Sequence, residues 1–128
     1  MHQRAYQALQ QAYQPYSGFS VGCSLAVGDT ILSGCNVENA SYTSTICAEA
    51  NAVGQLINQG FKTIDHILIV ADTSTPCAPC GNCRQILAEF GRAHTPIYLA
   101  NLQTIQYSTT LGELLPLSFS AQTMQQGE

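Results

Sequence analysis

His66-Ile67-Leu68-Ile69-Val70-Ala71 is a short, nearly continuous apolar run, and its reading sets the architecture. Four large aliphatics in succession leave no polar face, the pattern of a strand covered on both sides. The segment is therefore predicted to be the centre of a sheet. Upstream, Ala48, Ala52, Val53, Leu56 and Ile57 fall on one face of a helix that Gly60 is placed to end. Downstream, past a Pro- and Cys-rich segment at 76–83, Ile86, Leu87 and Phe90 mark another helix, which Gly91 stops. Farther out, residues 4–13 carry Ala5, Ala8, Leu9 and Ala12 at helical spacing, with Pro15 ending the pattern. Val21, Cys23, Leu25 and Val27 alternate, Gly28-Asp29 offers turn chemistry and Ile31-Leu32 resumes an apolar stretch, which predicts a hairpin. Residues 96–100 and 105–107 read as two more strands. Thr110 and Glu113 have capping-box spacing before Leu114-Leu115, and Pro116 blocks extension. The order α-β-β-α-β-α-β-β-α predicts an α/β fold: one domain over residues 1–128, a three-layer α/β/α sandwich around a mixed sheet of five strands.

Composition narrows the function. At 128 residues the chain closes one core and is too short for two ordinary ones. Apolar residues make up 45%, yet no run approaches the roughly 20 residues that cross a bilayer. The N-terminus Met1-His2-Gln3-Arg4-Ala5-Tyr6 lacks an apolar signal core, so a cytoplasmic location is expected. Four cationic side chains stand against eight acidic ones, a formal charge of −4, which disfavours a polynucleotide partner. With only 9% charged residues, part of the surface is expected to be covered in an oligomer. Six cysteines without an export signal point to metal binding or buried free thiols more than to disulfides.

Two segments carry the chemistry: Cys47-Ala48-Glu49 and Pro79-Cys80-Gly81-Asn82-Cys83, each followed at once by a predicted helix. Cysteines at helix N-termini feel a partial positive charge that favours the thiolate, the form that binds metal. Cys80 and Cys83, separated by two residues, can reach one ion from a single turn. Cys47 from the other helix makes a third ligand and leaves tetrahedral Zn²⁺ with an open position, the catalytic arrangement. Glu49, two positions after Cys47, is expected beside the metal rather than on it, where a carboxylate moves protons between water, a ring nitrogen and a leaving amine.

With these segments the chain resembles a cytidine deaminase of the small, three-cysteine, homotetrameric type. Tyr16-Ser17-Gly18-Phe19-Ser20-Val21-Gly22, Gly34-Cys35-Asn36-Val37-Glu38-Asn39-Ala40-Ser41-Tyr42, Cys83-Arg84-Gln85 and Glu113-Leu114-Leu115-Pro116 are similar to family signatures, so the likeness spans nearly the whole chain. The resemblance implies one zinc ion per chain and hydrolytic deamination of cytidine and 2′-deoxycytidine in pyrimidine salvage. It also implies that Asn36 and Glu38 hydrogen-bond the ribose, that Phe19, Ala48 and Tyr42 belong to the nucleoside site, and that backbone groups near Ala48 and Cys80 read the pyrimidine. Active sites are then expected at subunit boundaries of a homotetramer, with Phe119 resembling an aromatic supplied by a neighbour.

One position departs from the family pattern. Many three-cysteine relatives carry arginine directly after Cys-Ala-Glu, whereas this chain has Ala50. Three thiolates give the ion a net negative shell. Arg84 is then expected to donate to the thiolates in compensation. Competing readings are a deaminase of a modified nucleoside such as blasticidin S, against which Asn36-Val37-Glu38-Asn39 argues, and a closed structural site with Cys77 as fourth ligand. The closed site leaves Glu49, Asn36 and Glu38 without a role, and Cys77, Cys23 and Cys35 read more economically as small apolar residues. A polynucleotide editor conflicts with the charge. His2, His66 and His94 have no metal-ligand spacing.

Overall fold

In the computed structural model, which describes residues 1–126, the elements run α1 (His2–Leu9), β1 (Val21–Val27), β2 (Thr30–Cys35), α2 (Ala48–Asn58), β3 (His66–Ala71), α3 (Gly81–Phe90), β4 (Pro96–Ala100), β5 (Ile105–Thr110), α4 (Leu111–Leu114) and α5 (Ala121–Gln126). The expected order holds, with two additions: a 3₁₀ turn at Tyr42–Ser44 and the short α5. Ser120 caps α5 by accepting the Thr123 N–H at 3.2 Å, a polar signal with no apolar periodicity behind it. The first helix is shorter than the expected 4–13. Tyr13 leaves the helical path because its N–H donates to Asn36 O at 3.0 Å and its carbonyl accepts the Glu38 N–H at 2.8 Å. Among the described residues no helix is long and apolar enough to cross a membrane.

The sheet order is β2-β1-β3-β4-β5, with β3 parallel to β4 and every other pair antiparallel. β3 is central, as its apolar run requires. Ile67 and Ile69 pack on one face with Ala52, Val53 and Leu56 of α2 and Leu87 of α3. Leu68 and Val70 point the opposite way, onto Ala5 and Leu9 of α1. All four are essentially inaccessible, and each such side chain contributes roughly 1.5–3 kcal/mol relative to an exposed one. The sandwich thus has α1 on one face and the α2–α3 pair on the other.

Two glycines let the helices approach. A Cβ on Gly22 of β1 would lie 1.9 Å from Ala5 O, and one on Gly34 of β2 would lie 2.5 Å from Ala52 N. Backbone therefore packs against backbone on each face of the β1–β2 hairpin. α2 ends where expected: the Gly60 N–H bonds to Ile57 O at 3.0 Å and the Phe61 N–H to Leu56 O at 3.1 Å, the paired bonds of a Schellman cap. Thr110 likewise accepts the Glu113 N–H at 3.2 Å to start α4.

The pairing Val21↔Ala71 and Gly22↔Cys35 sets the start of β1 beside the ends of β2 and β3. Chain leaving β2 and β3 therefore emerges at one end of the sheet, where α2 and α3 begin. Gly22→Ala is expected to destabilise the fold by about 3 kcal/mol or more through overpacking. Gly54→Ala, with nothing within 4 Å of the added methyl, is expected to stabilise α2 by about 0.5–1 kcal/mol. Denaturant midpoints of the two variants, moving in opposite directions, check this.

Candidate metal centre and active site

Cys47 and Cys80 are the N-cap residues of α2 and α3, both in extended backbone, and Cys83 lies in the first turn of α3. Their three Sγ atoms all lie within 4.8 Å of one another. Tetrahedral thiolates at a Zn–S distance of about 2.3 Å sit about 3.8 Å apart, so a slight closure seats one ion. Among the described residues this trio is the one such group of metal-ligating side chains, and Cys77 is not part of it. The closed four-thiolate site therefore finds no support in the geometry.

The electrostatics also call for a cation. Burial pushes the Cys83 thiol far up, with Glu49 and the neighbouring sulfurs adding to it, and burial likewise raises Cys47. Cys80 is also opposed by burial, yet hydrogen bonds from the Cys83 N–H and from the Cys83 and Cys47 thiols outweigh it and bring its pKa down. Three thiolates occupy this volume together only when positive charge neutralises them. A soft, all-sulfur donor set of three suits zinc.

Glu49 occupies the second position of α2 and is only 5% exposed. Burial raises its carboxyl above the ordinary range, while its own backbone N–H and the Cys83 thiol pull the other way. The carboxyl group thus faces the sulfur cluster. A cavity of about 230 Å³ opens in front of it, lined by Cys47, Ala48, Glu49, Cys80, Asn36 and Phe19. Val21, Thr45, Ile69, Cys77 and Ala78 complete the wall. These five were not expected there. Their only signal in the sequence is proximity to a ligand or to a strand end. Three larger concavities of about 420–440 Å³ surround Arg92 and contain none of the clustered cysteines.

The segment 36–38 is locked by backbone pairing on both sides. Val37 bridges Tyr13 and Ile46, with reciprocal Val37–Ile46 bonds of 2.8 Å. Asn36 Oδ1 accepts the Val21 N–H at 2.9 Å and its Nδ2 donates to Phe19 O at 2.8 Å. Glu38 Oε1 accepts the N–H groups of Tyr16 and Ser17 at 3.0 and 3.1 Å, and Oε2 accepts the Ser17 hydroxyl. The Ser17 hydroxyl, more than the two amides, holds the Glu38 carboxyl below its usual range against a smaller effect of burial.

Three expected site residues lie elsewhere than anticipated. Glu38 turns onto the 16–17 turn and is not on the cavity wall. Tyr42, 89% exposed on the 3₁₀ turn, does not line the cavity. Arg84 donates Nε to Pro79 O and Nη1 to Leu114 O, both at 2.8 Å, so its hydrogen bonds go to backbone carbonyls rather than to thiolates. One helical turn after Cys80, it bonds the loop that precedes that ligand and ties it to the last residue of α4.

Residues 1–99 match the family described as the cytidine and deoxycytidylate deaminase zinc-binding region. A cytidine deaminase from Halalkalibacterium halodurans is 46% identical over 121 residues, covering 94% of this chain and 92% of its own. One from Sporosarcina psychrophila is 44% identical over 118 residues, covering 91% and 87%. The crystal structure of a cytidine deaminase from Burkholderia pseudomallei superimposes with a TM-score of 0.86 at 40% identity, covering 91% of this chain and 94% of that one. A blasticidin-S deaminase from Bacillus cereus is more distant, 31% identical over 98 residues and covering 70% and 69%.

Purified chain is expected to carry close to one zinc per polypeptide by elemental analysis. Alanine at Cys47, Cys80 or Cys83 is expected to remove most of it, whereas Cys77→Ser leaves it in place.

Proposed function

The chain belongs to the cytidine and deoxycytidylate deaminase family, and from that premise we propose that it converts cytidine and 2′-deoxycytidine to uridine and 2′-deoxyuridine with release of ammonia. Glu49 carries this reading: a buried carboxyl, raised by its surroundings, borders the same cavity as Cys47 and Cys80 and faces the sulfur cluster. Bound zinc supplies the Lewis acidity that makes water a competent nucleophile near neutral pH. Glu49 takes a proton from the attacking water and passes it to N3 of the cytosine ring. It then carries the second proton to the amine departing from C4. Buried at the cavity wall, it is placed both to accept and to donate.

Asn36 and Glu38 orient the ribose, Phe19 packs against the nucleoside, and Ala48 lies under the pyrimidine with the backbone around Cys80. Support for these roles comes from the cavity, which brings Phe19, Asn36 and Ala48 beside Glu49. The biological setting that fits is pyrimidine salvage in the cytoplasm. A homotetramer fits as well, with Tyr42 and Phe119 reaching a neighbour's cavity. Both rings are largely exposed in the single chain, at 89% and 59%, and Gln85 Nε2 holds the Phe119 carbonyl at 3.0 Å. Arg84, bonded to Pro79 O, steadies the Cys80 ligand from behind.

Glu49→Gln is expected to keep its zinc and to lose turnover of cytidine by about 10²- to 10⁴-fold. In the same assay the unaltered protein turns over cytidine far faster than blasticidin S, and the reverse preference would reassign the substrate. Light scattering is expected to give a mass about four times the 13.7 kDa chain.

A further inference from the structure

The turn at 16–19 has little regular structure of its own. Residues 16–19 are exposed, and Gly18 has a φ of +72°. Its shape is set by a small group of side-chain bonds that converge on Ser17. The Ser17 hydroxyl donates to Glu38 Oε2 and at the same time accepts the Phe19 N–H at 3.0 Å. The Phe19 carbonyl is held from the other side by Asn36 Nδ2 at 2.8 Å. Both backbone polar groups of Phe19, whose ring walls the cavity, are thus tied to Asn36 and Glu38, one directly and one through a single hydroxyl. An ionised carboxylate offers about four acceptor positions. The Tyr16 N–H, the Ser17 N–H and the Ser17 hydroxyl use three on Glu38, leaving about one for a sugar hydroxyl.

We propose that Ser17 is a positioning residue for nucleoside binding: its hydroxyl fixes the Glu38 carboxylate and the Phe19 backbone relative to each other, so that the sugar acceptor and the aromatic wall are presented as one preformed unit. This rests on the reading of Glu38 as a ribose ligand. Without the hydroxyl, Glu38 loses a charge-assisted bond and Phe19 N–H loses its partner, and substrate must order the turn as it binds. The cost falls on binding and not on proton transfer, because Glu49 and the cysteines lie on different elements.

Steady-state kinetics on cytidine with the zinc-loaded protein test this through Ser17→Ala, Ser17→Thr, Glu38→Ala and the Ser17→Ala/Glu38→Ala double variant. Ser17→Ala is expected to raise KM about tenfold, the scale of one bond to a charged group, with kcat within about twofold. Ser17→Thr, which keeps the hydroxyl, is expected to return KM to within about threefold of the starting value. In the Glu38→Ala background the further loss of Ser17 raises KM by less than about twofold, since the two act as a unit. An unchanged KM in Ser17→Ala, or a full separate penalty in the double variant, overturns the proposal. An unchanged KM in Glu38→Ala removes the ribose role of Glu38 itself, an outcome distinct from failure at Ser17 alone.

Discussion

Three sulfur atoms on two helices meet at a point only if both helices lie on the same face of the sheet and begin at the same end of it. The strand order and directions impose that condition. β2 and β3 both run toward the start of β1, so the chain leaving each is delivered to one sheet end. α2 and α3 then return over the same face, sharing a core of Ala52, Leu56 and Leu87 against Ile67 and Ile69. Their N-caps, Cys47 and Cys80, are brought together by this packing. The crevice beyond the strand ends is where open α/β sheets commonly hold their ligands.

That convergence shapes the electrostatics. Burying three thiols and a carboxyl together raises most of their pKa values, and a cation reverses the preference. Ala50 brings no charge to the site, and Arg84 is spent on the carbonyls of Pro79 and Leu114. The positive partial charges that face the sulfurs come from the backbone: α2 and α3 both begin at the cluster, and the Cys83 N–H donates to the Cys80 sulfur. Arg84 is bonded to the loop that leads into Cys80.

Much of this was legible in the sequence, for reasons that differ by region. The apolar run of β3, the alternation of β1 and the spacing of α2 are local patterns that read directly, as does the placement of Cys47, Cys80 and Cys83 at helix starts. The end of α1 was not legible because Tyr13 is captured by Asn36 and Glu38, more than twenty residues away. Arg84 misled for a related reason. Its place beside Cys83 in the sequence suggested the sulfurs, whereas a helix turns adjacent side chains about 100° apart. The cavity contributions of Thr45, Cys77 and Ala78 depend on how two loops fold back, which no periodicity records.

The two halves of the site are held by different physics. The metal half stands on the termini of two helices anchored in a shared apolar core. The half formed by Phe19, Asn36 and Glu38 stands on loops, and loops at a surface keep a single shape only when their backbone groups are paired. Val37 supplies that pairing through its bridges to Tyr13 and Ile46, and Asn36 and Glu38 extend it to the 16–21 segment. The side chains of Asn36 and Glu38 thereby set the course of the segment that carries Phe19. Side chains that share one hydrogen-bonded network act together, so the effects of replacing Asn36 and Glu38 on the shape of this segment are coupled and not additive.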